Sequence, residues 1–365
     1  FAGDEGFDSG EANCVCQSTS GYIWIGTDNG IYRYDGSEFT LFPLDSDEDG
    51  TKYSINCIYL TSDDKLYVGT DNYGLYVYDN GAFNRVAETY NLGVSTINAM
   101  YEDDKDQLWL ASSSGIYYLT SDGVKMVDDE GISGYNIGNI SGYDGTIYAT
   151  ANNDVLIRVD ENGEITVTSK SSYGIDDINS LYIDENGTRY YGSAGYSILT
   201  INSKGKVSVI STGSLHGINK IYNDGEKIWI LADDGVGYIT SGNKIVNVES
   251  LRFNESMSDM IKDFEGNYWF TSYRKGLLFL EQSKFQNVTM KYGIDSSIVN
   301  CVTSYNGSIF IGTDEGLYVV DSNGRIVSGS DNELVAQLYG ISIRDLYVDS
   351  SDKLWIATYK IYGVI

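Results

Sequence analysis

The segment 22–36, YIWIGTDNGIYRYDG, decides the fold, and related segments recur along the chain. They read LYVGTDNYGLYVYDNG at 66–81, LWLASSSGIYYLTSDG at 108–123 and IFIGTDEGLYVVDSNG at 309–324. Each contains two runs rich in aromatic and β-branched residues, which are typical of strands. Gly, Asn and Asp between the runs allow a tight reversal. The recurring segment therefore predicts a repeated β-hairpin.

The repeat has a regular period along the whole chain. One aromatic residue marks each copy, and successive markers are 39 to 45 residues apart. The markers are Trp24, Tyr67, Trp109, Tyr148, Tyr190, Trp229, Trp269, Phe310 and Trp355. A period of about 40 residues with four short strands is typical of a propeller blade, whereas two-helix repeats would show apolar residues 3.6 apart. We expect an all-β protein, a β-propeller of four-stranded antiparallel blades.

The number of blades stays open between seven and nine. The nine copies cover approximately residues 10–44, 54–88, 96–128, 136–170, 177–211, 217–249, 257–290, 298–330 and 342–365. The last copy is incomplete, since it stops after its third predicted strand. Residues 1–365 therefore form one nine-bladed ring, an eight-bladed ring with an extra partial blade, or a seven-bladed propeller over 1–290 with the start of a second over 291–365.

Each predicted innermost strand carries a polar residue at one recurring position, which we align by its distance to the aromatic marker. The series is Asn13, Asn56, Asn98, Asn139, Asn179, Asn219, Asp259, Asn300 and Arg344. We expect these amides to bond the backbone of the neighbouring blade and hold the ring closed. Asp259 and Arg344 interrupt the series and are therefore candidates for ligand contact.

Composition restricts the partners. With 52 Asp and Glu against 24 Lys and Arg, the formal charge of −28 disfavours nucleic acid and anionic lipid. The chain contains no apolar run long enough to span a membrane and no signal-peptide pattern. One His and four Cys argue against a zinc site, and we expect free buried thiols. Because the chain begins with Phe1 and ends in a strand-like run, we expect a fragment of a longer protein.

The repeat resembles that of the two-component regulator propeller family, in which an LWIGT strand is followed by a short loop and a GL-Y-YDG strand. YIWIGTDNGIYRYDG at 22–36 and KLWIAT at 353–358 are the clearest matches, and copies four to six depart most. The opening blade is also similar to those attached to diguanylate cyclases. The resemblance implies an extracytoplasmic bacterial sensor domain, anchored to the membrane in the full-length protein, that signals to a histidine kinase or diguanylate cyclase.

In a propeller, the loops from the fourth strand of one blade to the first of the next share a face with the loops between second and third strands. Ligands usually enter at that face, and tyrosines there suit a carbohydrate or other small polar ligand. Arg274 beside Tyr273 could bind a carboxylate bidentately. The candidate ligand-binding residues are Tyr53, Tyr73, Tyr173, His216, Asp259, Tyr273, Arg274, Tyr292, Tyr339, Arg344 and Tyr359.

A cofactor is not expected, although one weak calcium candidate exists. Asp45, Asp47 and Asp49 alternate before Gly50 as in the first half of an EF-hand loop, but Asn56 stands where a bidentate Glu belongs. A solvated loop between blades is the simpler interpretation.

We therefore expect a binding protein and not an enzyme. The turns DENGTRY at 184–190 and DFEGNYW at 263–269 are similar to the Asp-box of sialidases, which is itself a structural turn. The chain shows no nucleophile motif, phosphate loop or metal-ligand spacing. The alternatives are a secreted glycan-active hydrolase or lyase and a protein-interaction scaffold. A homodimer is also considered, because dimer geometry could carry the signal.

Overall fold

The computed structural model describes residues 6–44, 52–86, 89, 93–120, 123–127, 131–248, 254–281, 294, 298–359 and 362–365. These residues form antiparallel sheets in which sequential strands are neighbours, so the predicted all-β fold of propeller blades is confirmed. The described helical elements are a 3₁₀ turn, Lys170–Ser172, and helix α1, Glu333–Gln337. Among these residues no helix has the length and hydropathy required to cross a bilayer. The chain divides into two compact units, 1–282 and 283–365.

The described residues of the first unit form seven sheets, each starting with its innermost strand. Blade 1 contains β1 (Ala12–Gln17), β2 (Ile23–Thr27), β3 (Gly30–Tyr34) and β4 (Phe39–Phe42). Blade 2 contains β5 (Ile55–Leu60), β6 (Leu66–Thr70), β7 (Leu75–Asp79) and β8 (Ala82–Arg85). Blade 3 contains β9 (Ile97–Glu102), β10 (Leu108–Ser112), β11 (Gly115–Thr120) and β12 (Gly123–Met126). Blade 4 contains β13 (Ile137–Tyr143), β14 (Thr146–Ala151), β15 (Val155–Val159) and β16 (Ile165–Ser169).

Blades 5 to 7 continue the same order. Blade 5 contains β17 (Ile178–Ile183), β18 (Arg189–Ser193), β19 (Ser197–Ile201) and β20 (Val207–Ser211). Blade 6 contains β21 (Ile218–Asn223), β22 (Ile228–Ala232), β23 (Val236–Ile239) and β24 (Ile245–Asn247). Blade 7 contains three described strands, β25 (Met257–Lys262), β26 (Tyr268–Ser272) and β27 (Gly276–Leu280).

Blade 7 packs against blade 1. The innermost strands β1, β5, β9, β13, β17, β21 and β25 contact one another in succession, and β25 contacts β1. At that seam Ser258 Oγ donates to the Ala12 carbonyl at 2.7 Å, and the Phe264 N–H donates to Gln17 Oε1 at 2.8 Å. The seven innermost strands of this unit therefore surround a central channel.

The hydrophobic core lies between neighbouring blades. Strands β2 and β6 are buried along their whole length, because a blade covers each face of the sheet. Trp24 packs among the aromatic rings of Phe42, Tyr78 and Phe83 at centroid distances of 5.2, 5.0 and 5.7 Å. The markers Trp229 and Trp269 likewise contact the next blade, at centroid distances of 5.4 Å from Tyr268 and 5.4 Å from Tyr34.

Every innermost strand carries a β-bulge, which corrects the predicted Asn series in two blades. The bulged residue is the predicted amide at most positions, for example Asn13 and Asn219. In blade 4 the bulged residue is Gly138 and not Asn139, and in blade 7 it is Ser258 and not Asp259. Alignment by distance to the marker was wrong there by one residue, because the residues after the bulge differ in number between the copies.

The predicted structural role of the amides is confirmed at several seams. Asn13 Nδ2 donates to the Ile55 carbonyl of the next blade at 2.8 Å, and Asn98 Nδ2 donates to the Ile137 carbonyl at 2.7 Å. Where the pattern lacks a bridging amide, a serine hydroxyl replaces it: Ser180 Oγ donates to the Ile218 carbonyl at 2.9 Å. These bonds satisfy backbone groups that the bulge removes from the sheet.

Aspartate side chains in the turns between first and second strands also join neighbouring blades, on the face away from the bulges. Asp224 Oδ2 accepts from Trp229 Nε1 at 2.8 Å and from the Tyr268 hydroxyl of the next blade at 2.7 Å. In the DFEGNYW turn, Asp263 accepts the indole N–H of Trp269 at 2.9 Å. In the DENGTRY turn, Asp184 Oδ2 accepts from the Tyr190 hydroxyl at 3.2 Å, so both Asp-box-like turns have a structural role.

The second unit contains one four-stranded and one two-stranded sheet among its described residues. The first sheet contains β28 (Val299–Tyr305), β29 (Ser308–Thr313), β30 (Leu317–Val320) and β31 (Ile326–Val327), and the second contains β32 (Ile343–Val348) and β33 (Leu354–Thr358). Asn300 Nδ2 donates to the Ile343 carbonyl at 2.9 Å, which repeats the seam of the first unit. Helix α1 is capped by Asn332, whose side chain accepts from the Leu334 and Val335 N–H groups.

Candidate functional site

Polar and aromatic side chains of blades 5 to 7 meet on one face of the first unit, at the mouth of its channel. This blade 5–7 surface comprises Tyr196, His216, Lys220, Asp233, Asp234, Ser256, Asp259 and Tyr273. The residues come from innermost strands β21 and β25 and from the two sets of loops that propeller topology predicts on a common face. The arrangement brings together three of the predicted ligand residues, His216, Asp259 and Tyr273.

An ion pair between Lys220 and Asp259 lies in the channel wall. Lys220 Nζ is 3.2 Å from Asp259 Oδ1, and the two residues follow the bulges of neighbouring strands. Asp259 Oδ2 also accepts from the Val15 N–H of blade 1 at 3.4 Å. The Lys220 side chain remains 44% exposed although protein surrounds it, so it lines the channel and does not lie in a dry core. The negative charge of Asp259 raises the pKa of Lys220, against the opposing effect of burial.

Thiols and a tyrosine lie close to this pair. All four cysteines are free, as predicted, but only Cys14 is buried, and the other three are half-buried. Burial raises the pKa of Cys14, and the charges of Cys57 and Asp259 raise it further. Burial also raises the pKa of Cys57, to about 12. Tyr273 is 43% exposed, and burial of its hydroxyl followed by the charge of Asp259 raises its pKa. The thiols and the phenol are therefore neutral at physiological pH.

Asp233 connects the loops of blades 6 and 7. Its Oδ1 atom accepts from Asn219 Nδ2 and from Ser256 Oγ, both at 2.9 Å. Gly217 has a φ of +64°, and a Cβ there would lie 2.3 Å from Asp233 Oδ2. Glycine at 217 therefore permits both the turn and the close approach of the carboxylate. Ser256 accepts the Tyr273 N–H through its carbonyl at 3.2 Å, so the Tyr273 backbone is attached to the same network.

Two exposed rings extend the surface toward blade 5. The rings of Tyr196 and His216 have centroids 5.0 Å apart, and Tyr196 is 54% exposed. The backbone N–H of His216 donates to Asp234 Oδ1 at 2.9 Å. The imidazole of the chain's one histidine is thereby presented to solvent beside an aromatic face.

The surface offers hydrogen-bond donors, hydrogen-bond acceptors and the exposed rings of two tyrosines on one face of the unit. Carboxylates can accept hydrogen bonds from the hydroxyl groups of a ligand, and an ammonium can donate hydrogen bonds to them. Tyrosine rings can stack on apolar faces of a ligand. Among the described residues, no group of three His, Cys, Asp or Glu side chains is arranged to hold a metal ion. This chemistry suits binding of a polar organic ligand.

Other predicted residues of the first unit lie elsewhere. Tyr53 is buried, at 7% exposure, and its ring packs 4.6 Å from that of Tyr73 within the core of blade 2. Tyr173 is half-buried beside the core of blade 5. Arg274 follows Tyr273, but its side chain is 75% exposed and lies 4.0 Å from Glu255. Three cavities between blades, of about 630, 380 and 490 Å³, contain none of the predicted residues.

Three predicted residues belong to the second unit, and four lie outside the described part of the chain. The Arg344 guanidinium lies 4.8 Å from the ring centroid of Tyr359, a cation–π contact. Tyr339 is 85% exposed. Tyr292 and the calcium candidates Asp45, Asp47 and Asp49 lie outside the described residues.

Sequence reasoning missed Lys220, Asp233 and Tyr196. Lys220 was detectable, since the positions after the seven bulges read Cys14, Cys57, Ala99, Asn139, Ser180, Lys220 and Asp259. Two ionisable residues of opposite charge on neighbouring repeats are the signal, but it becomes visible only after the bulge is placed. The loop residues Asp233 and Tyr196 carry no comparable periodic signal.

Comparison of the sequence with models of known protein families gives no match, and comparison with curated proteins gives none. Solved structures do match. The extracellular domain assigned to a hybrid two-component system of B. thetaiotaomicron has a TM-score of 0.66 at 18% identity, with 100% of this chain and 52% of that chain covered. A second such domain from the same organism has a TM-score of 0.64 at 20% identity, covering 98% and 50%.

The propeller fold is also shared with an enzyme. Virginiamycin B lyase from Staphylococcus aureus has a TM-score of 0.62 at 17% identity, and the match covers 76% of this chain and 96% of the lyase. The chain spans about half the length of the two extracellular domains. At these identities the similarity defines the class of fold, a β-propeller, and function has to be argued from the site.

Proposed function

We propose that the chain is the ligand-sensing input domain of a membrane-anchored bacterial signalling protein and that it works outside the cytoplasm. The observation that supports this most is the blade 5–7 surface, where the Lys220–Asp259 ion pair lies beside the exposed ring of Tyr273 in a channel mouth. Similarity of fold to two extracellular domains assigned to hybrid two-component systems agrees with this function. The ligand is a carbohydrate or another small polar molecule.

The proposed mechanism is a shift of population. The ligand binds one arrangement of the receptor more tightly than another, and the difference in affinity drives a histidine kinase or diguanylate cyclase outside this chain. Equal affinity for both arrangements would transmit nothing. The ion pair contributes to the site as a positioned donor and acceptor, since the Lys220 ammonium has three N–H groups and keeps accessible surface.

Calorimetric titration of residues 1–365 with defined xylo-, arabino-, cello- and galacturono-oligosaccharides tests the proposal. We expect saturable binding of at least one probe. Lys220→Met and Tyr273→Ala should each weaken it by about 10-fold or more, because each removes a central contact. Tyr143→Ala is the matched control, since Tyr143 is 37% exposed but lies at the β13–β14 turn on the opposite face.

Two outcomes would contradict this proposal in different ways. If no probe binds and the chain captures only proteins, a scaffold is the better description. If Lys220→Met and Tyr273→Ala leave binding intact while Arg274→Ala or Arg344→Ala abolishes it, sensing stands and the blade 5–7 surface is the wrong site.

An enzyme is the second candidate function, because the fold is shared with a lyase. Incubation of each bound probe with the purified chain, followed by mass spectrometry, distinguishes the two functions. A sensor domain leaves the probe unchanged at stoichiometric and catalytic ratios. Turnover that His216→Ala removes would replace the sensing proposal with an enzymatic one.

We propose further that residues 283–365 begin a second propeller. In the first unit the aromatic markers Trp24, Trp229 and Trp269 are at most 6% exposed, because a neighbouring blade covers them. In the second unit the equivalent Trp355 is 44% exposed, and Val302 is 63% exposed. Both outer faces of the two-blade unit thus present residues of the type that blades elsewhere bury, and the two matched extracellular domains are about twice as long.

A further inference from the structure

The rim of blades 4 and 5 combines adjacent uncharged outer strands with oppositely charged turns. Outer strands β16 and β20 contain no charged residue, as is also true of β4 and β24, in a chain with 52 acidic and 24 basic residues. Val167, Val207 and Val209 on these strands are 42%, 44% and 54% exposed. Each strand is the last of its sheet and, among the described residues, pairs with a strand on one side only, so its other edge presents backbone groups without a strand partner there. Such an edge is a template for association unless charge or bulges protect it.

Complementary charges flank these two strands. The turn before β16 carries Glu161 and Glu164, and the equivalent turn before β20 carries Lys204 and Lys206, all four exposed. Within the described part of the chain none of these four side chains forms an ion pair. One blade therefore presents unpaired negative charge and its neighbour unpaired positive charge at the same height of the rim.

We propose that this rim binds a second copy of the chain through a two-fold axis parallel to the propeller axis. All blades have the same strand order, so their outer strands point in the same direction and these turns share one face. Rotation about such an axis places blade 4 opposite blade 5 of the partner, and vice versa. β16 then lies beside the partner's β20, and Glu161 and Glu164 lie beside the partner's Lys204 and Lys206. The contact is closed and self-complementary, as a two-fold interface requires.

Charge favours a second copy as the occupant of this surface. Each chain has a formal charge of −28, so two copies repel one another over most of their surface. Association is favourable only where acidic residues are absent or are faced by basic ones. The rim of blades 4 and 5 meets both conditions, through the uncharged strands and through the two oppositely charged turns. This inference is independent of the ligand site, which lies at the channel mouth.

Sedimentation equilibrium of residues 1–365 across micromolar to submillimolar concentrations tests the proposal. We expect a monomer–dimer equilibrium. Val209→Lys should weaken the dimer by about 10-fold or more, because it places a charge at the centre of the contact. Leu41→Lys is the matched control: Leu41 is 50% exposed on the outer strand β4 of blade 1, so this variant should dimerise as the unaltered chain does.

A charge swap supplies the decisive comparison. Glu164→Lys and Lys206→Glu should each weaken the dimer by about 5-fold, since each exposed pair occurs twice in a two-fold contact. The double variant restores complementary charges and should return the dissociation constant to about that of the unaltered chain. The proposal is overturned if the chain is monomeric throughout, if Leu41→Lys is as disruptive as Val209→Lys, or if the double variant adds the two losses.

Discussion

Single side chains in this protein act mainly at the seams between blades. Asp259 of blade 7 forms an ion pair with Lys220 of blade 6 and accepts a hydrogen bond from the Val15 N–H of blade 1. Asp224 in turn accepts a tryptophan N–H from its own blade and a tyrosine hydroxyl from the next. Residues with two such partners in different blades are stability determinants and, in the case of Asp259, part of the proposed binding surface.

The Asp224 carboxylate makes a pH-dependent contribution to stability. Burial opposes its ionisation, but hydrogen bonds from Trp229, Tyr268 and two backbone N–H groups outweigh burial and hold its pKa at about 2. Because the folded pKa lies below the unfolded value, the contribution is present above pH ~4 and is lost as pH falls toward 2. Asp224→Asn should lower the free energy of unfolding at pH 7 by about 1 kcal/mol, after allowance for solvent screening.

Urea unfolding at a series of pH values measures this effect. The difference between Asp224→Asn and the unaltered chain should shrink steadily between pH ~4 and ~2. Asp104→Asn is the control, since Asp104 is an exposed carboxylate of a corresponding turn in which the tryptophan N–H donates to Asp103 instead. A difference that stays constant over this pH range would show that the Asp224 charge is not the cause.

At the scale of the strand and blade, much of the architecture was predictable because its signals are local. Aromatic and β-branched runs with Gly and Asn turns predict each hairpin, and repetition predicts the blade. The β-bulge was not predictable, since it depends on a pairing register that the aromatic spacing leaves ambiguous by one residue at Gly138 and Ser258. The same ambiguity limited the prediction of the site. Tyr273 and His216 were predictable from loop topology, whereas Lys220 could be identified only in the corrected register.

Substitution of a bulge residue that bridges two blades should lower the free energy of unfolding more than substitution of one that does not. Asn98→Ala removes hydrogen bonds to the Ile137 carbonyl at 2.7 Å and to Asn136 Oδ1 at 2.9 Å. The loss leaves backbone without a partner and should lower the free energy of unfolding by about 1–2 kcal/mol. Urea denaturation monitored by circular dichroism provides the measurement.

Asn179→Ala is the matched variant of the same residue type. The seam of Asn179 is bridged by Ser180 Oγ, and the side-chain amide of Asn179 donates to none of the described residues. We expect a loss below about 0.5 kcal/mol, typical of a surface substitution. Equal losses for Asn98→Ala and Asn179→Ala would mean that the bridging bond is not what stabilises the seam.

At the scale of the whole molecule, blades are stable where neighbours cover both faces. Residues 1–282 meet this condition through the contact of β25 with β1. The two sheets of the second unit retain exposed apolar side chains, including Val302 and Trp355. The proposed second propeller and the proposed dimer rim are both inferences about what covers an exposed sheet.

Tryptophan fluorescence tests the exposed face of the second unit. Trp24, Trp229 and Trp269 are buried, whereas Trp355 is 44% exposed. Acrylamide should therefore quench one readily accessible component in residues 1–365, and Trp355→Phe should remove it. Trp109→Phe is the control. In any longer native form of the protein, the component should vanish if further blades cover Trp355, and its persistence would count against a second propeller.

The seam between blades 7 and 1 has a consequence for the order of folding. A bond between consecutive blades joins residues such as Asn13 and Ile55, which are 42 positions apart, whereas Ser258 and Ala12 are separated by 246. Chain entropy makes closure over the longer distance more costly by about 1.6 kcal/mol. We therefore expect the blades to assemble progressively from any adjacent pair, with this seam forming last. During mechanical or thermal unfolding of the ring, we expect the same seam to open first.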